Sequence, residues 1–336
     1  MNFWLELAIK TVLMLVVVLT ASLVTIYTEL KAGSHMQARI GPYYAGGRWG
    51  WAQPLADGAK FLQKEDLAPA KADRTVYGYA PWVVMMSTLA IFAVIPMGPD
   101  LVATKLDLGA YFLLAISSLS VLGILMAGWS SANKYSLIGG LRAAAQLIAY
   151  ELPLVLAVVA VVVQAGTMSL NGIVEAQQAT LFTVGGVEIA LPFLLTGQII
   201  GFGIFMIAAV AELSRIPFDM PIAESELTMG YLTEYSGIRF TMFFLGEYAS
   251  MVGLSAIATT LYLGGYAVPF LPESMENFAG PGIFFTKVAV LVFIIIWIRF
   301  TWPRLREDQL QWMAWRWLIP LALFNIALVS VFKVVF

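Results

Sequence analysis

The chain is 336 residues long, 60% hydrophobic and 12% charged, with a formal net charge of −2; soluble domains carry roughly 25% charged residues, so lipid is expected as the main solvent. With no cysteine it holds neither a disulfide nor an iron–sulfur cluster of its own, and with His35 as the only histidine no bis-histidine haem or His-rich metal site is expected. The nearest glycine pattern, Gly201-Phe-Gly203, lies inside an apolar run and lacks the third glycine of a dinucleotide loop.

A helix crosses a bilayer with about 20 apolar residues, and eight such runs follow one another, at about 4–28, 81–97, 108–129, 143–163, 189–211, 240–263, 283–302 and 313–335. The fold class is therefore all-α: a polytopic membrane protein, one integral membrane domain over 1–336, with about eight transmembrane helices. The first run lacks a basic n-region and is too long for a signal peptide, so it is expected to remain as helix 1, with Glu29 at its inner end.

The segment 31–80 is too long for a simple connection. Gln53 followed by Pro54 reads as a helix start, after which Leu55, Ala59 and Leu62 share one face, predicting a short amphipathic surface helix. Asp57 and Lys60, three apart, are placed to pair on it. Helix 4 carries Glu151 two residues before Pro153, and helix 5 ends at Glu212. The segment 213–239 then reads Arg215-Ile-Pro-Phe-Asp219-Met-Pro-Ile-Ala-Glu224-Ser-Glu226, with Glu234 further on. Pro217 and Pro221 forbid a regular helix there. Its apolar residues, Phe218, Met220 and Ile222, would serve no purpose in a solvated loop, so the segment is expected to pack against a partner or fold into a cavity. Helix 6 holds Glu247. Trp49, Trp51, Phe243 and Phe244 are lipid-facing or packing residues by default, and the sequence leaves open whether they line an apolar chamber.

Positive loops stay cytoplasmic. Of the 19 Lys and Arg, 15 fall in or beside the connections after helices 1, 3, 5 and 7, and only Lys10, Lys105, Lys287 and Lys333 lie opposite. Both termini are thus predicted outside and the long loops inside. On the predicted boundaries Glu151 and Glu247 lie roughly 10 to 12 Å below the cytoplasmic surface at about 1.5 Å per residue, with Glu29 and Glu212 at similar or shallower depth. A carboxylate at that depth costs on the order of 3 kcal/mol to insert and faces the bundle interior or water. Each acid alone could satisfy an arginine or a broken helix end; four at matched depth favour a hydrated proton path.

The block Gly128-Trp-Ser-Ser-Ala-Asn-Lys-Tyr-Ser-Leu-Ile-Gly-Gly-Leu-Arg-Ala-Ala-Ala-Gln-Leu-Ile-Ala-Tyr-Glu151 closely resembles the quinone-chamber membrane subunit, or H subunit, of bacterial respiratory complex I, the proton-pumping NADH:quinone oxidoreductase. So do Met36-Gln-Ala-Arg-Ile-Gly-Pro42 with Gln53-Pro-Leu-Ala-Asp57, Ala211-Glu-Leu-Ser-Arg-Ile-Pro-Phe-Asp219 through Glu234-Tyr, and Arg299 through Arg304-Leu-Arg-Glu-Asp-Gln309. The resemblance runs nearly end to end. It implies an eight-helix subunit of the bacterial cytoplasmic membrane, at the junction of membrane and peripheral arms, forming most of the quinone chamber. It implies no cofactor in this chain: quinone is the substrate, while FMN and the iron–sulfur clusters sit in partner subunits, the terminal cluster in the peripheral arm. By position, Arg39, Asp57, Lys60, Arg215, Asp219, Phe244 and Arg299 would line or guard the tunnel. Arg215, Asp219, Glu224, Glu226 and Glu234 would form the loop that senses quinone reduction. Glu29, Glu151, Glu212 and Glu247 would start the proton path, through small membrane subunits, toward antiporter-like ones. No nucleic-acid partner is expected.

The chain departs from the family twice: Ile222 follows Pro221 where a glutamate is usual, and Gly41-Pro-Tyr-Tyr44 replaces the usual Gly-Pro-Asn-Arg. Two other readings stand beside this one. A membrane subunit of an energy-converting hydrogenase shares the fold, but the Gln53–Asp57 and Arg299 blocks argue against it; a related ferredoxin-fed complex stays open, because electron input lies in other subunits. A secondary transporter or channel is disfavoured because the two halves show no internal repeat.

Overall fold

A computed structural model describes residues 3–99, 101–178, 182–184, 187–189, 191–267 and 273–335. It is a helical bundle in which each predicted span has a counterpart, with shifted ends. Helix α1 runs Phe3–Met36, so the first long connection begins only at residue 37. The surface helix α2, Gln53–Gln63, starts at the predicted Gln-Pro pair, and Leu55, Ala59 and Leu62 form an exposed apolar stripe along it. Helix α3 is Arg74–Ile91, begun early because the Asp73 carboxylate accepts from the Thr75 and Val76 N–H groups. The third span comprises α4, Gly109–Ser117, and α5, Leu119–Ser130.

Helix α6 is Lys134–Ala165, with the Asn133 side chain capping the Tyr135 N–H and Gly166 ending it in a left-handed turn. It begins nine residues before its predicted start. Glu151 therefore lies about 26 Å along the axis from Lys134 at 1.5 Å per residue, not eight residues in. After α7, Leu170–Gln178, a two-stranded antiparallel hairpin pairs β1, Phe182–Val184, with β2, Val187–Ile189. The fifth span, predicted over 189–211, is helical only as α8, Ile199–Glu212: residues 191–198 turn instead, with Pro192 and Gly197 in the run, and residue 190 lies outside the described residues. Short α9, Glu224–Leu227, and a 3-10 turn, Gly230–Leu232, follow. Then come α10, Gly237–Tyr262, and α11, Glu273–Thr301. The last span joins α12, Glu307–Met313, through a π-helical turn at Ala314–Leu318, to α13, Ile319–Val335.

Among the described residues, six helical stretches are long and apolar enough to cross a membrane. The other two predicted spans are the 18-residue α3 and the 14-residue α8. Two helices organise the packing: α6 lies against α5, α8 and α13, and α10 against α1, α3 and α11. The main core is continuous from Val18 of α1 through Phe205, Met251 and Ile295 to Ala322 of α13. The four basic connections meet at one end of the bundle, where Asp73 N–H donates to Ser130 O at 3.1 Å, Leu67 N–H to Ser236 Oγ at 3.1 Å, and Leu305 N–H to Pro217 O at 3.0 Å.

Candidate functional site

The site is built around the chain reversal after α8. Ser214 takes a left-handed conformation, φ +52°, so that Arg215 folds back and its N–H reaches Val210 O. Phe218 and Met220 then enter the main core, 4% and 5% exposed. Phe218 and Met220 are thus buried within the chain, one of the two outcomes expected for the loop's apolar residues, while Ile222 is half-buried. Gln146, in the middle of α6, fastens the fold: its Nε2 donates at 2.8 Å to both Ala211 O and Phe218 O.

This placement buries Arg215 at 4% exposure and surrounds it with groups from two helices. Its Nη1 donates to Glu29 of α1, its Nε donates to Glu247 Oε1 of α10 at 2.9 Å, and its guanidinium stacks on the Tyr248 ring at 4.5 Å. Arg299 at the end of α11 donates to the other oxygen of Glu29. Two carboxylates and two guanidiniums form one network, Glu247–Arg215–Glu29–Arg299, whose charges cancel. Burial at this depth requires that cancellation, since an unpaired ion in a low dielectric costs several kcal/mol.

Glu151 of α6 and Glu212 at the end of α8 are built differently. Both are half-buried, lie within electrostatic reach of one another, and have no ion-pair partner among the described residues. The four acids predicted as one class therefore divide into two: a pair neutralised by arginine and a pair without an ion-pair partner among the described residues. An acid without a fixed counter-ion takes up or gives up a proton without breaking a salt bridge.

Outside the membrane helices, Asp219 is half-buried. Burial pushes its carboxyl up to about 6, Arg304 pulls against this, Glu247 adds to it, and the Ala223 N–H lowers it slightly. Glu226 is exposed and held between Arg142 Nη1 at 2.7 Å and Arg304 Nη1 at 3.3 Å. The hydrogen bond from Arg142 is the main reason its carboxyl lies below the usual range. Glu234 accepts from Asn133 Nδ2 at 2.5 Å. Glu224 is exposed, and so is Arg39 at the turn after α1; neither makes an ion pair among the described residues.

The surface helix connects to the arginine network through aromatic rings. Asp57 accepts from Gln53 at 3.2 Å and pairs with Lys60 at 3.3 Å, and Lys60 lies over Phe61 at 5.0 Å. Phe61 meets Phe240 at 5.5 Å, Phe240 stacks near Phe244 at 6.0 Å, and Phe244 meets Tyr248 at 4.9 Å. The line ends at Arg215. Of these rings only Phe244 was among the predicted site residues. The spacing of Phe240, Phe244 and Tyr248 at four-residue intervals places them on one helix face and was visible in the sequence; Phe61, the ring that joins this face to α2, comes from a distant segment and was not.

A sequence model described as NADH dehydrogenase matches residues 9–330. The chain belongs to the NADH dehydrogenase family. Within it, the chain is 46% identical over 323 residues to the H subunit of the NADH-quinone oxidoreductase of Brevibacillus brevis, covering 96% of this chain and 92% of that protein. It is 45% identical to the second such H subunit of Syntrophobacter fumaroxidans, at 96% and 94% coverage, and 42% identical to that of Dehalococcoides mccartyi, at 98% and 87%. Family membership thus extends over all the elements that build the arginine network and the aromatic line.

Proposed function

We propose that this chain is the quinone-chamber membrane subunit of a proton-translocating NADH:quinone oxidoreductase, and that it forms the quinone tunnel and the start of the proton path. The observation that carries the reading is Arg215, buried between Glu29 and Glu247 at the end of the aromatic line from α2. The NADH-quinone oxidoreductase relatives support it over a hydrogenase subunit or a transporter. The basic end of the bundle is then cytoplasmic and both termini lie outside, as the 15 of 19 cations on that side suggest. Peripheral-arm subunits carrying the terminal iron–sulfur cluster dock there and supply electrons; small membrane subunits receive the protons.

In this reading the rings of Phe240, Phe244 and Tyr248 wall the path of a quinone, and Asp57, Lys60 and Arg39 stand at its mouth. The headgroup gains two electrons and two protons as it becomes the quinol. Asp219, with a carboxyl at about 6, is able to give up a proton near neutral pH. Negative charge arriving on the headgroup competes with Glu29 and Glu247 for Arg215. The loosened carboxylates and the moving loop, with Glu224, Glu226 and Glu234, alter the field at Glu151 and Glu212, and a proton moves between them. Ile222 leaves that loop one acid short of its relatives, so Glu224 and Glu226 carry more of its charge.

The test is the assembled complex with Glu151→Gln or Glu212→Gln. NADH oxidation by an artificial acceptor should be unchanged, and protons pumped per quinone reduced should fall severalfold. Unchanged pumping in both variants would refute the proton-path assignment.

A further inference from the structure

The chain reversal at 211–218 carries Arg215 at its crown, and a side chain from outside it joins its two ends. Gln146 Nε2 of α6 donates at 2.8 Å to Ala211 O and at 2.8 Å to Phe218 O. Two acceptors on one nitrogen lie at most twice that distance apart, whereas seven residues of extended chain reach about 23 Å. The amide thus closes the neck of the loop from which Arg215 projects. Ala211 O also accepts from the Ser214 N–H at 3.1 Å, and Phe218 O from the Met220 N–H at 3.0 Å, but these bonds serve each end separately. Within the loop, the Arg215 N–H reaches Val210 O only at 3.4 Å, beyond the usual range of about 2.7–3.2 Å.

The neck asks for an uncharged group with two protons on one atom. A hydroxyl has one proton, a lysine or arginine would add a cation beside Arg215 and Arg299, and a carboxylate would face two carbonyl oxygens. An amide nitrogen supplies both protons. Gln146 is 3% exposed, so bulk water does not stand ready to replace it. One turn further along α6, Tyr150 supports the same contact: its ring meets Phe218 edge-on at 5.3 Å and its hydroxyl donates to Leu310 O at 3.0 Å. What the neck controls is the guanidinium. Arg215 divides it between Glu29 and Glu247 and lays it on the Tyr248 ring, and a rigid planar fork meets three groups only from the right place.

We propose that Gln146 is a positioning residue for quinone reduction: by closing the neck at Ala211 and Phe218, it sets the Arg215 guanidinium where the headgroup meets it. Gln146 itself touches no substrate. The inference rests on the proposed function, in which Arg215 answers the charge arriving on the headgroup.

The test uses the assembled complex with Q146M, which keeps the length of the side chain and removes both protons, and with Q146N, which keeps the amide one carbon short. Reduction of a short-chain quinone is normalised to NADH oxidation by an artificial acceptor, and the place of Arg215 is read from cryo-electron microscopy maps. In Q146M the guanidinium should leave the Tyr248 ring, and the KM for quinone should rise severalfold with kcat little changed, the signature of lost binding rather than lost chemistry. Q146N should lie between Q146M and the parent. A glutamine that served packing alone would lower the yield of complex and leave the KM of what assembles unchanged. Arg215 seated on the Tyr248 ring in every variant that assembles overturns the positioning role. Failure of both variants to assemble also overturns it, since the residue would then serve the fold. Arg215 displaced with a parental KM supports the positioning of Arg215 and faults the quinone reading, so the two fail separately.

Discussion

Arg215 holds two carboxylates with one guanidinium, and lysine cannot reproduce that geometry because it presents a point charge rather than a planar fork. Removing the positive charge leaves Glu247 without its arginine, and breaking a buried pair from one side costs about 3–5 kcal/mol. R215M should therefore deplete the protein from the purified complex, measured as its stoichiometry on native gels. R215M/E247Q should recover part of the loss, because it removes the acid that was stranded. A double variant as depleted as the single one would mean that Arg215 acts mainly through Glu29. Asp219 makes a different statement. Its folded carboxyl is raised to about 6 from an ordinary value near 4, so its stabilising contribution is complete below about pH 4 and is lost as pH rises through about 6. In D219N that loss is absent: thermal stability of variant and parent, compared by melting curves across pH, should diverge between pH 4 and 7 in favour of the variant and run parallel above. At this scale the sequence named the acids and arginines, but not their pairing. Glu29 and Arg215 are 186 residues apart, and no local pattern reveals which acid an arginine will meet.

At the scale of elements, apolar runs located the helices, and errors arose where capping or loop chemistry outweighed hydropathy. Helix α6 starts early because Asn133 caps it and because Gly139 lets its first turns lie against the acidic loop. A Cβ on Gly139 would meet Gly230 Cα at 2.6 Å and the Tyr231 nitrogen at 2.7 Å, both backbone atoms that cannot swing aside. G139A should force α6 and the 3-10 turn apart at a cost of about 1–3 kcal/mol, with faster proteolysis of the 213–239 loop in the purified complex. Cleavage at the parental rate would show that the helix shifts without opening the loop. Helix α8 is short for the opposite reason: Pro192 and Gly197 interrupt a run whose hydropathy alone predicts a span. The aromatic line needs both α2 and α10, and Leu67 N–H on Ser236 Oγ, with Arg239 Nε on Asp66 at 3.1 Å, fastens the segment after α2 to the start of α10.

For the whole molecule, the position of the acids constrains where a proton can go. Along α8 no Asp, Glu or His lies between Glu212 and the helix start, and along α6 none lies between Glu151 and Ala165. A half-buried cation further out, Lys287, has its Nζ committed to the carbonyls of Leu263, Gly265 and Ala267 at 2.7 to 2.9 Å. A proton reaching Glu151 or Glu212 thus has no titratable continuation to the opposite face along either helix that carries it, and crossing the remaining apolar depth as a bare charge is prohibitive. Under the proposed function, transfer is then sideways, to a neighbouring membrane subunit, and the coupling belongs to the assembly rather than to this chain. The purified chain reconstituted alone in liposomes should accordingly pass protons no faster than protein-free vesicles under an imposed pH gradient, read with an internal pH dye. A leak that disappears in E151Q/E212Q would show instead that the chain conducts across the bilayer unaided, and the lateral route would have to be abandoned.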